Sequence, residues 1–532
     1  MNSKKTEFLL FAILIFACLF LLLTRLGTFI YDISDAYFHV SGGLFTYDII
    51  KWWFENPSLN IEIIMNFIVN YQAQYKFLGG ITYYPPLQSI FIAISAFLFG
   101  KNLHSVYIVT ILESVATLYF AAKLYMCIYG NEKKNQYYAG LLIFFIFFNP
   151  IFLKYGSSAS LDPGLMFFTT ATLYYYISFL KTAKNKYLYL TSIFLALGIN
   201  LKNPMFLIIP VLIIAPFIEK KTIIFKEKIK EIFNSVIIFL LLITPWLVSQ
   251  FIFCYNGICR FFFMVSVATR DDGPLYSRSL MSFNESLFSI FGEYILILFF
   301  LYYLSFLFKK RKTGEALMVL FFLEILIFYN FSSHVDPRYF LCIVPIGILF
   351  SIRGIQKSIN KYPDKKHILN ILLVVMMFHS LFLSITYFHE HKEYELATDF
   401  MSAAKYINQN NQENVTVMSS FSRKQAVAFN LLNDKKVYVV HPPRDHAKEE
   451  DLSELKIMLN ESFKCVQHPL KPEWEKFGLC HPPVKYIIIH ERYDGFAMEY
   501  KLSEQIHNYP QFKLVETIEG KKPKNRIFIY KR

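Results

Sequence analysis

Long apolar runs separated by polar gaps recur through the first 390 residues of the chain. About 20 apolar residues cross the hydrocarbon core of a membrane, and in lipid every backbone polar group must be paired within the segment. The pattern therefore predicts a polytopic α-helical membrane protein with about 11 helices, and about 13 at most. The predicted helices are 7–25, 104–128, 137–153, 163–180, 187–202, 204–218, 232–253, 286–308, 315–331, 338–352 and 367–387.

The pattern changes in two parts of the chain. The first long gap, 26–103, contains the segment 85–100, which is apolar but too short to span and is predicted to lie in the interface or to re-enter the membrane. From 388 to 532 the apolar runs shorten to five or six residues, with charged helical stretches between most of them, which predicts a soluble α/β domain after a membrane domain of 1–387. The short runs read "NVTVM", "KVYVV", "KYIIIH", "FKLVE" and "RIFIY".

The net charge of +14 is unevenly distributed along the chain. From residue 388 onward there are 22 basic and 20 acidic residues, so nearly all of the excess belongs to the membrane part. Basic clusters fall in alternate gaps, which is typical of cytoplasmic loops and argues against a nucleic-acid surface. We expect a multi-pass protein of a bacterial inner membrane, with a cytoplasmic N-terminus and an extracytoplasmic C-terminal domain. The clusters lie at 4–5, 133–134, 181–186, 220–230, 309–312 and 353–366.

This topology leaves several charged residues on the extracytoplasmic side, beginning with Asp32 and Asp35 after the first helix. Arginines there run against the positive-inside rule, and anion binding is a natural reason for them because guanidinium groups grip phosphate oxygens. A carboxylate beside such cations suits glycosyl transfer, in which a base deprotonates an acceptor hydroxyl and cations hold the leaving phosphate. Nucleotide sugars are absent outside, so the expected donor is a membrane-dissolved polyprenyl-phosphate sugar.

Five segments occur in order within residues 7–352, and they read "DISDAYFH", "YYPPLQSIFIAISAFLFGKNLHSVYIV", "NPIFLKYGSSASLDPGLMFF", "LALGINLKNPMFLIIPVLI" and "DPRYFLCIVPI". Together they resemble the GT-C membrane glycosyltransferases, and most closely the branch with the protein O-mannosyltransferases and the bacterial lipid A aminoarabinose transferases. The resemblance implies that Asp35 is the catalytic base, with Asp32 as its less well matched neighbour. It also implies that Lys202 and Arg338 meet the donor phosphate, and that Asp162 is an acid at a helix start.

The chain departs from the aminoarabinose transferases at Tyr84, which with Pro85 replaces a Glu-Lys pair, so a metal or phosphate role tied to that pair is left in question. Tyr84, His39 and the outer cation Arg270 are further site candidates, the last for the donor phosphate. No metal-binding spacing is present in the sequence, no cofactor is predicted, and dependence on a divalent metal is left open. Cys465 and Cys480 lie in the outer domain, where a disulfide is permitted.

Each candidate also has a structural alternative. Asp162 precedes Pro163 and is a suitable N-cap, and Lys202 suits a helix C-terminus. Arg338 can pair with Asp336, Arg270 can belong to a solvated loop, and His39 can be an interface polar group. Acids within the apolar spans are predicted to face the bundle interior, with proton relay as the alternative; they are Glu113, Glu293 and Glu324.

The sequence thus predicts an integral membrane glycosyltransferase that moves a sugar from a polyprenyl-phosphate donor to an acceptor. The acceptor classes are lipid A, another envelope glycolipid or glycan, and protein. The alternatives are a transporter or flippase for a lipid-linked sugar and a non-catalytic envelope scaffold. A transporter predicts two related halves with broken helices, which the sequence lacks, and a scaffold leaves the outer cations unexplained.

Overall fold

The computed structural model describes most of the membrane part and selected segments elsewhere. The described residues are 3–25, 36–58, 60, 62–64, 66–68, 71, 85–253, 280–307, 312–330, 336–395, 399–411, 415–419, 428–432, 437–440, 484–490, 506, 509–519 and 526–532. The chain divides into two compact units. The first comprises 1–26, 84–88 and 107–392, and the second comprises 27–83, 89–106 and 393–532.

All regular secondary structure among the described residues of the first unit is helical. Among these and the other described residues, four helical stretches are long and apolar enough to cross a membrane, and they are Leu103–Tyr129, Ile229–Val248, Pro337–Lys361 and Pro363–Thr386. The helices assigned wholly or mainly to this unit are α1 (Ser3–Arg25), α4 (Leu103–Tyr129), α5 (Lys133–Phe147), α6 (Pro150–Tyr155), α7 (Asp162–Thr182), α8 (Asn185–Ile199), α9 (Ile208–Ile218), α10 (Thr222–Glu227), α11 (Ile229–Phe253), α12 (Leu280–Phe291), α13 (Tyr294–Leu307), α14 (Glu315–Asn330), α15 (Val344–Lys361) and α16 (Lys366–Glu395). Three 3₁₀ turns, Asn203–Leu207, Pro337–Ile343 and Pro363–Lys365, complete it.

Two of the predicted helices are interrupted, each for an identifiable reason. The run 137–153 is divided between α5 and α6 because the Asn149 side chain accepts hydrogen bonds from the backbone N–H groups of Ile151 and Phe152 and so starts a new helix. The run 286–308 is divided at Gly292, which has a φ of +68° and follows the end of α12. The prediction that each of these two runs forms one continuous helix is therefore wrong.

Contacts bring most of the basic loops to one end of the first unit. Lys134 Nζ donates to Asn360 Oδ1 at 2.5 Å, which joins the 133–134 and 353–366 clusters. The Gly314 N–H donates to Glu219 Oε1 at 3.0 Å, beside the clusters at 220–230 and 309–312. Lys181 Nζ donates to the Cys127 carbonyl at the same end of α4. Loops that the charge pattern assigns to one side of the membrane therefore lie together.

The second unit contains α2 (Ala36–Glu55), α3 (Leu87–Phe99), α17 (Asp399–Asn410) and a five-stranded mixed sheet of order β2-β1-β3-β5-β4. β1 pairs in parallel with β2 and β3, and β5 pairs antiparallel with β3 and β4. Each of the five short apolar runs forms one strand, and these are β1 (Val415–Ser419), β2 (Val437–Val440), β3 (Val484–His490), β4 (Lys513–Ile518) and β5 (Ile527–Lys531). Buried aliphatic side chains of β1 and β3 pack with Ile506 and Phe512 to form a core on the sheet.

A buried polar network links distant segments of the second unit. Lys101 Nζ lies 2.8 Å from Asp48 Oδ2 on α2, and the Tyr71 hydroxyl donates to the same carboxylate oxygen at 2.7 Å. The Asn430 side-chain amide in turn donates to the Tyr71 hydroxyl at 2.5 Å. The network therefore connects the first long loop of the sequence with the C-terminal segment.

Gly43→Ala is expected to lower the free energy of unfolding by about 1–3 kcal/mol, because a Cβ on α2 would overlap the buried side chain of Ile92 on α3. Gly140→Ala on α5 is the matched control, since a Cβ there meets no atom within 4 Å. It is expected to be neutral or stabilising by up to about 1 kcal/mol, because alanine favours the helix. Thermal unfolding of the purified variants in detergent measures both, and equal midpoints would contradict the close approach of α2 and α3.

Candidate functional site

Lys202 and Asp162 form an ion pair in the first unit. α7 begins at Asp162 and α8 ends at Ile199, so the turn after α8 brings the ammonium group to the start of α7. Lys202 Nζ lies 2.5 Å from Asp162 Oδ1, and the two side chains are 17% and 2% exposed. The N-cap residue of α7 is Leu161, so capping, the structural alternative for Asp162, does not account for this carboxylate. The carboxylate instead holds the Lys202 ammonium group where α7 begins and α8 ends.

Arg338 lies in the 3₁₀ turn Pro337–Ile343, directly after Asp336. Asp336 caps this turn, because its Oδ1 accepts a hydrogen bond from the Arg338 N–H at 3.0 Å. The Arg338 guanidinium Nε lies 3.1 Å from Asp336 Oδ2, so the pairing that was the structural alternative for Arg338 is present. Arg338 is almost buried at 5% exposed, whereas Asp336 is 35% exposed. The turn therefore holds the guanidinium rigidly behind a carboxylate that reaches solvent.

The Tyr339 ring joins the two ion pairs. Lys202 Nζ is 5.4 Å from the ring centroid and the Arg338 Cζ is 5.3 Å from it, both within cation–π range. The Tyr339 ring also stacks on the Tyr329 ring, with a centroid distance of 5.0 Å, and this contact helps to hold it in place. We call Asp162, Lys202, Asp336, Arg338 and Tyr339 the charged cluster.

Arg25, which is not among the candidates from sequence, binds the end of α6 and the segment that follows it. Arg25 ends α1 and is 1% exposed. Its Nε donates to Ser157 Oγ at 2.8 Å and its Nη2 donates to the Lys154 carbonyl at 3.0 Å. The hydroxyl of Tyr155, next to Lys154, lies 3.5 Å from Asp336 Oδ1. A charged residue closing the first apolar run was the available signal, and its role became visible only through partners about 130 residues away.

Glu113 is a second buried acid close to the charged cluster. It lies on α4, is 5% exposed, and its carboxyl group faces the buried side chain of Gln88. A Cβ built on Gly164 would be 2.8 Å from Glu113 Oε1. The Glu113 carboxyl group therefore packs against the first turn of α7, at a glycine two residues after Asp162. Glu293 is also buried, with its Oε1 2.7 Å from His379 Nδ1, whereas Glu324 is half-buried. The inward orientation predicted for these acids thus holds for Glu113 and Glu293.

Four of the candidates from sequence lie outside the described residues: Asp32, Asp35, Tyr84 and Arg270. Asp35 directly precedes α2, which begins at Ala36. His39 is on α2 and is buried at 5% exposed. Cys465 and Cys480, between which a disulfide is permitted, also lie outside the described part. Within that part, no group of three His, Cys, Asp or Glu residues is arranged to hold a metal ion.

Comparisons with known proteins agree on the type of fold. Residues 84–248 match the family model of the dolichyl-phosphate-mannose-protein mannosyltransferases. The structure is similar to that of ArnT from Cupriavidus metallidurans bound to undecaprenyl phosphate, with a TM-score of 0.63 and 10% identity over 99% of this chain and 98% of ArnT. The apo form of ArnT gives the same score and identity over 100% and 98% of the two chains. No curated protein sequence matches significantly.

The matched residues 84–248 contain Asp162 and Lys202, half of the ion-paired residues of the charged cluster. The fold likeness extends over nearly the whole of both chains. The resemblance expected from the five sequence segments is confirmed, and the chain has the fold of the GT-C membrane glycosyltransferases.

Proposed function

We propose that the protein is an integral membrane glycosyltransferase that transfers a sugar from a polyprenyl-phosphate donor to an acceptor on the extracytoplasmic side. The observation that carries this proposal is the charged cluster, in which Lys202 and Arg338 lie within 5.4 Å of the centroid of the Tyr339 ring. Acceptors consistent with it are lipid A, another envelope glycolipid or glycan, and protein.

The charged cluster suits a phosphate group that gains charge during the reaction. Arg338 offers a planar set of N–H donors that matches phosphate oxygens, and Lys202 offers a compact positive charge. Their carboxylate partners hold both cations in place before the donor arrives, so little reorganisation is needed when the leaving group takes up negative charge. Asp336 is partly exposed, so an arriving phosphate oxygen can replace its carboxylate as the partner of the Arg338 guanidinium.

The reaction is a single displacement at the anomeric carbon of the donor sugar. Asp35 accepts the proton of the acceptor hydroxyl while the hydroxyl oxygen bonds to the anomeric carbon. The bond from that carbon to the phosphate oxygen breaks, and its electron pair leaves with the polyprenyl phosphate. Lys202 and Arg338 stabilise this phosphate, whose charge becomes more negative as the bond breaks.

The location of the basic loops supports the extracytoplasmic side. The basic loops meet near the connection between α4 and α5. They include Lys134, Lys181 and the 353–366 cluster. The charged cluster is built from the start of α7 and the turn after α8, which are the opposite ends of those helices from the basic loop 183–184. Since basic loops are typical of the cytoplasmic side, this arrangement supports a charged cluster on the other side of the membrane.

The names of the similar proteins support the donor class. ArnT was crystallised with undecaprenyl phosphate, and the matching family model is that of dolichyl-phosphate-mannose-protein mannosyltransferases. Undecaprenyl phosphate and dolichyl phosphate are both polyprenyl chains that carry a phosphate. The shared chemistry is a lipid phosphate at the membrane edge, which is the group that the charged cluster is suited to bind.

The test uses purified full-length protein in nanodiscs with polyprenyl-phosphate sugars that are radiolabelled in hexose or pentose. We expect the label to leave the lipid and appear in acceptor or water, and undecaprenyl phosphate to inhibit while undecaprenol does not. The matched lipids differ only in the phosphate, so equal inhibition would contradict phosphate recognition. Movement of intact lipid-linked sugar across proteoliposomes without cleavage would instead support the transporter alternative.

A further inference from the structure

A cavity of about 580 Å³ lies in the first unit, among the basic loops and away from the charged cluster. It is bounded by the first turns of α5, the end of α15 and the first half of α16. The basic and amide side chains that line it are Lys134, Asn360, Lys366 and Asn370. It therefore combines basic and amide groups at one end of a helical membrane bundle.

The lining changes from polar to apolar along α16. Lys366, Asn370, Leu373 and Met377 recur at spacings of four, three and four residues, which puts them on one face of the helix. The eleven steps from the first to the last correspond to about 16 Å along the helix axis. A charged end followed by an apolar wall matches a phospholipid, whose phosphate is at the interface and whose acyl chain runs into the bilayer.

Neither lysine that lines the cavity is paired with a carboxylate among the described residues. Lys134 Nζ donates to the neutral amide oxygen of Asn360, and among the described residues neither Lys134 nor Lys366 forms an ion pair. The side chain of Lys366 is exposed. Only 22% of the most apolar window of Pro363–Thr386 is buried inside the protein, so α16 presents most of its surface to lipid. An anionic headgroup can therefore reach the two lysines directly from the bilayer.

We propose that this cavity is a binding site for one anionic phospholipid. The headgroup phosphate binds between Lys134 and Lys366, the amides of Asn360 and Asn370 bond to headgroup oxygens, and one acyl chain lies along Leu373 and Met377. Basic pockets between membrane helices on the cytoplasmic side are suited to such lipids. The site is independent of the glycosyl-transfer chemistry, because it shares no residue with the charged cluster.

The experiment measures thermal stability and native mass spectra of the full chain in detergent, titrated with phosphatidylglycerol or with phosphatidylcholine of the same acyl chains. We expect saturable stabilisation and one retained lipid with phosphatidylglycerol alone. Lys134→Gln/Lys366→Gln is expected to weaken this binding about thirtyfold, because each lysine near a charged surface contributes roughly fivefold. Lys184→Gln/Lys186→Gln, which removes two lysines from the neighbouring loop, is the matched control and is expected to bind normally.

Three results would overturn the proposal. Equal weakening by both double variants would mean general charge attraction instead of a site. Equal stabilisation by phosphatidylcholine would exclude selection by charge, and equal stabilisation by inorganic phosphate at the same concentration would mean a free anion site. Leu373→Ser tests the apolar part of the site separately, since it leaves both lysines in place. It is expected to weaken the binding of phosphatidylglycerol without changing the response to inorganic phosphate.

Discussion

An Asp35→Asn protein is expected to transfer sugar about 10²–10⁴-fold more slowly than the native chain, with donor binding nearly unchanged. Asparagine has nearly the same shape as aspartate but cannot take a proton from the acceptor hydroxyl. Asp35 directly precedes α2, whose Asp48 is held by Lys101 and Tyr71, so the substitution leaves the anchoring of that helix intact. Single-turnover rates with a radiolabelled donor measure the chemical step.

Asp32→Asn is the matched control, because it removes the same charge three residues earlier in the same loop. Its transfer rate is expected to stay within about tenfold of the native rate, well short of the loss for a general base. If the two variants lose activity in the reverse order, Asp32 is the base. If both keep activity, the base lies elsewhere and Glu113 becomes the next carboxyl group to substitute.

The helices and strands follow closely from the apolar pattern, because burial in lipid or in a core imposes a period on the sequence. The run 104–128 forms Leu103–Tyr129, and "KYIIIH" forms most of β3. The errors arise where a long apolar run conceals a break. Asn149-Pro150 is a helix-start signal and Gly292 a helix-stop signal, so both breaks could have been found by giving these residues more weight than continuity.

The candidate site was less accessible, because its contacts join residues far apart in the sequence. Lys202 and Arg338 stood out as cations on the side that disfavours them, but their shared ring, Tyr339, gave no such signal. For Asp162 the sequence leaves both a cap and a functional acid open, since a carboxylate before proline looks the same whether it caps a helix or binds a lysine 40 residues later. The bond from Asn430 to Tyr71 spans 359 residues, and no local pattern encodes it.

Lys202→Met is expected to have two separable effects, one on folding and one on the donor. Removing the ammonium leaves the almost buried Asp162 carboxylate without this partner, which is expected to lower the free energy of unfolding by about 3 kcal/mol. The lost charged hydrogen bond to phosphate, worth about 1.5–3 kcal/mol, is expected to raise the donor Kd about 10- to 150-fold. Thermal unfolding and equilibrium binding of a polyprenyl-phosphate sugar measure the two effects.

The double variant Lys202→Met/Asp162→Asn separates the two effects. It also removes the buried negative charge that Lys202 compensates, but it does not restore the ammonium group for the donor phosphate. It is expected to recover most of the stability and none of the donor affinity. Lys186→Met is the matched control, since Lys186 lies near the other end of α8 and its Nζ also lies over a tyrosine ring, 5.1 Å from the centroid of Tyr187. It is expected to leave both quantities unchanged. Recovery of donor affinity together with stability would mean that the ion pair of Lys202 and Asp162 only holds two helix ends together, and that Arg338 alone meets the phosphate.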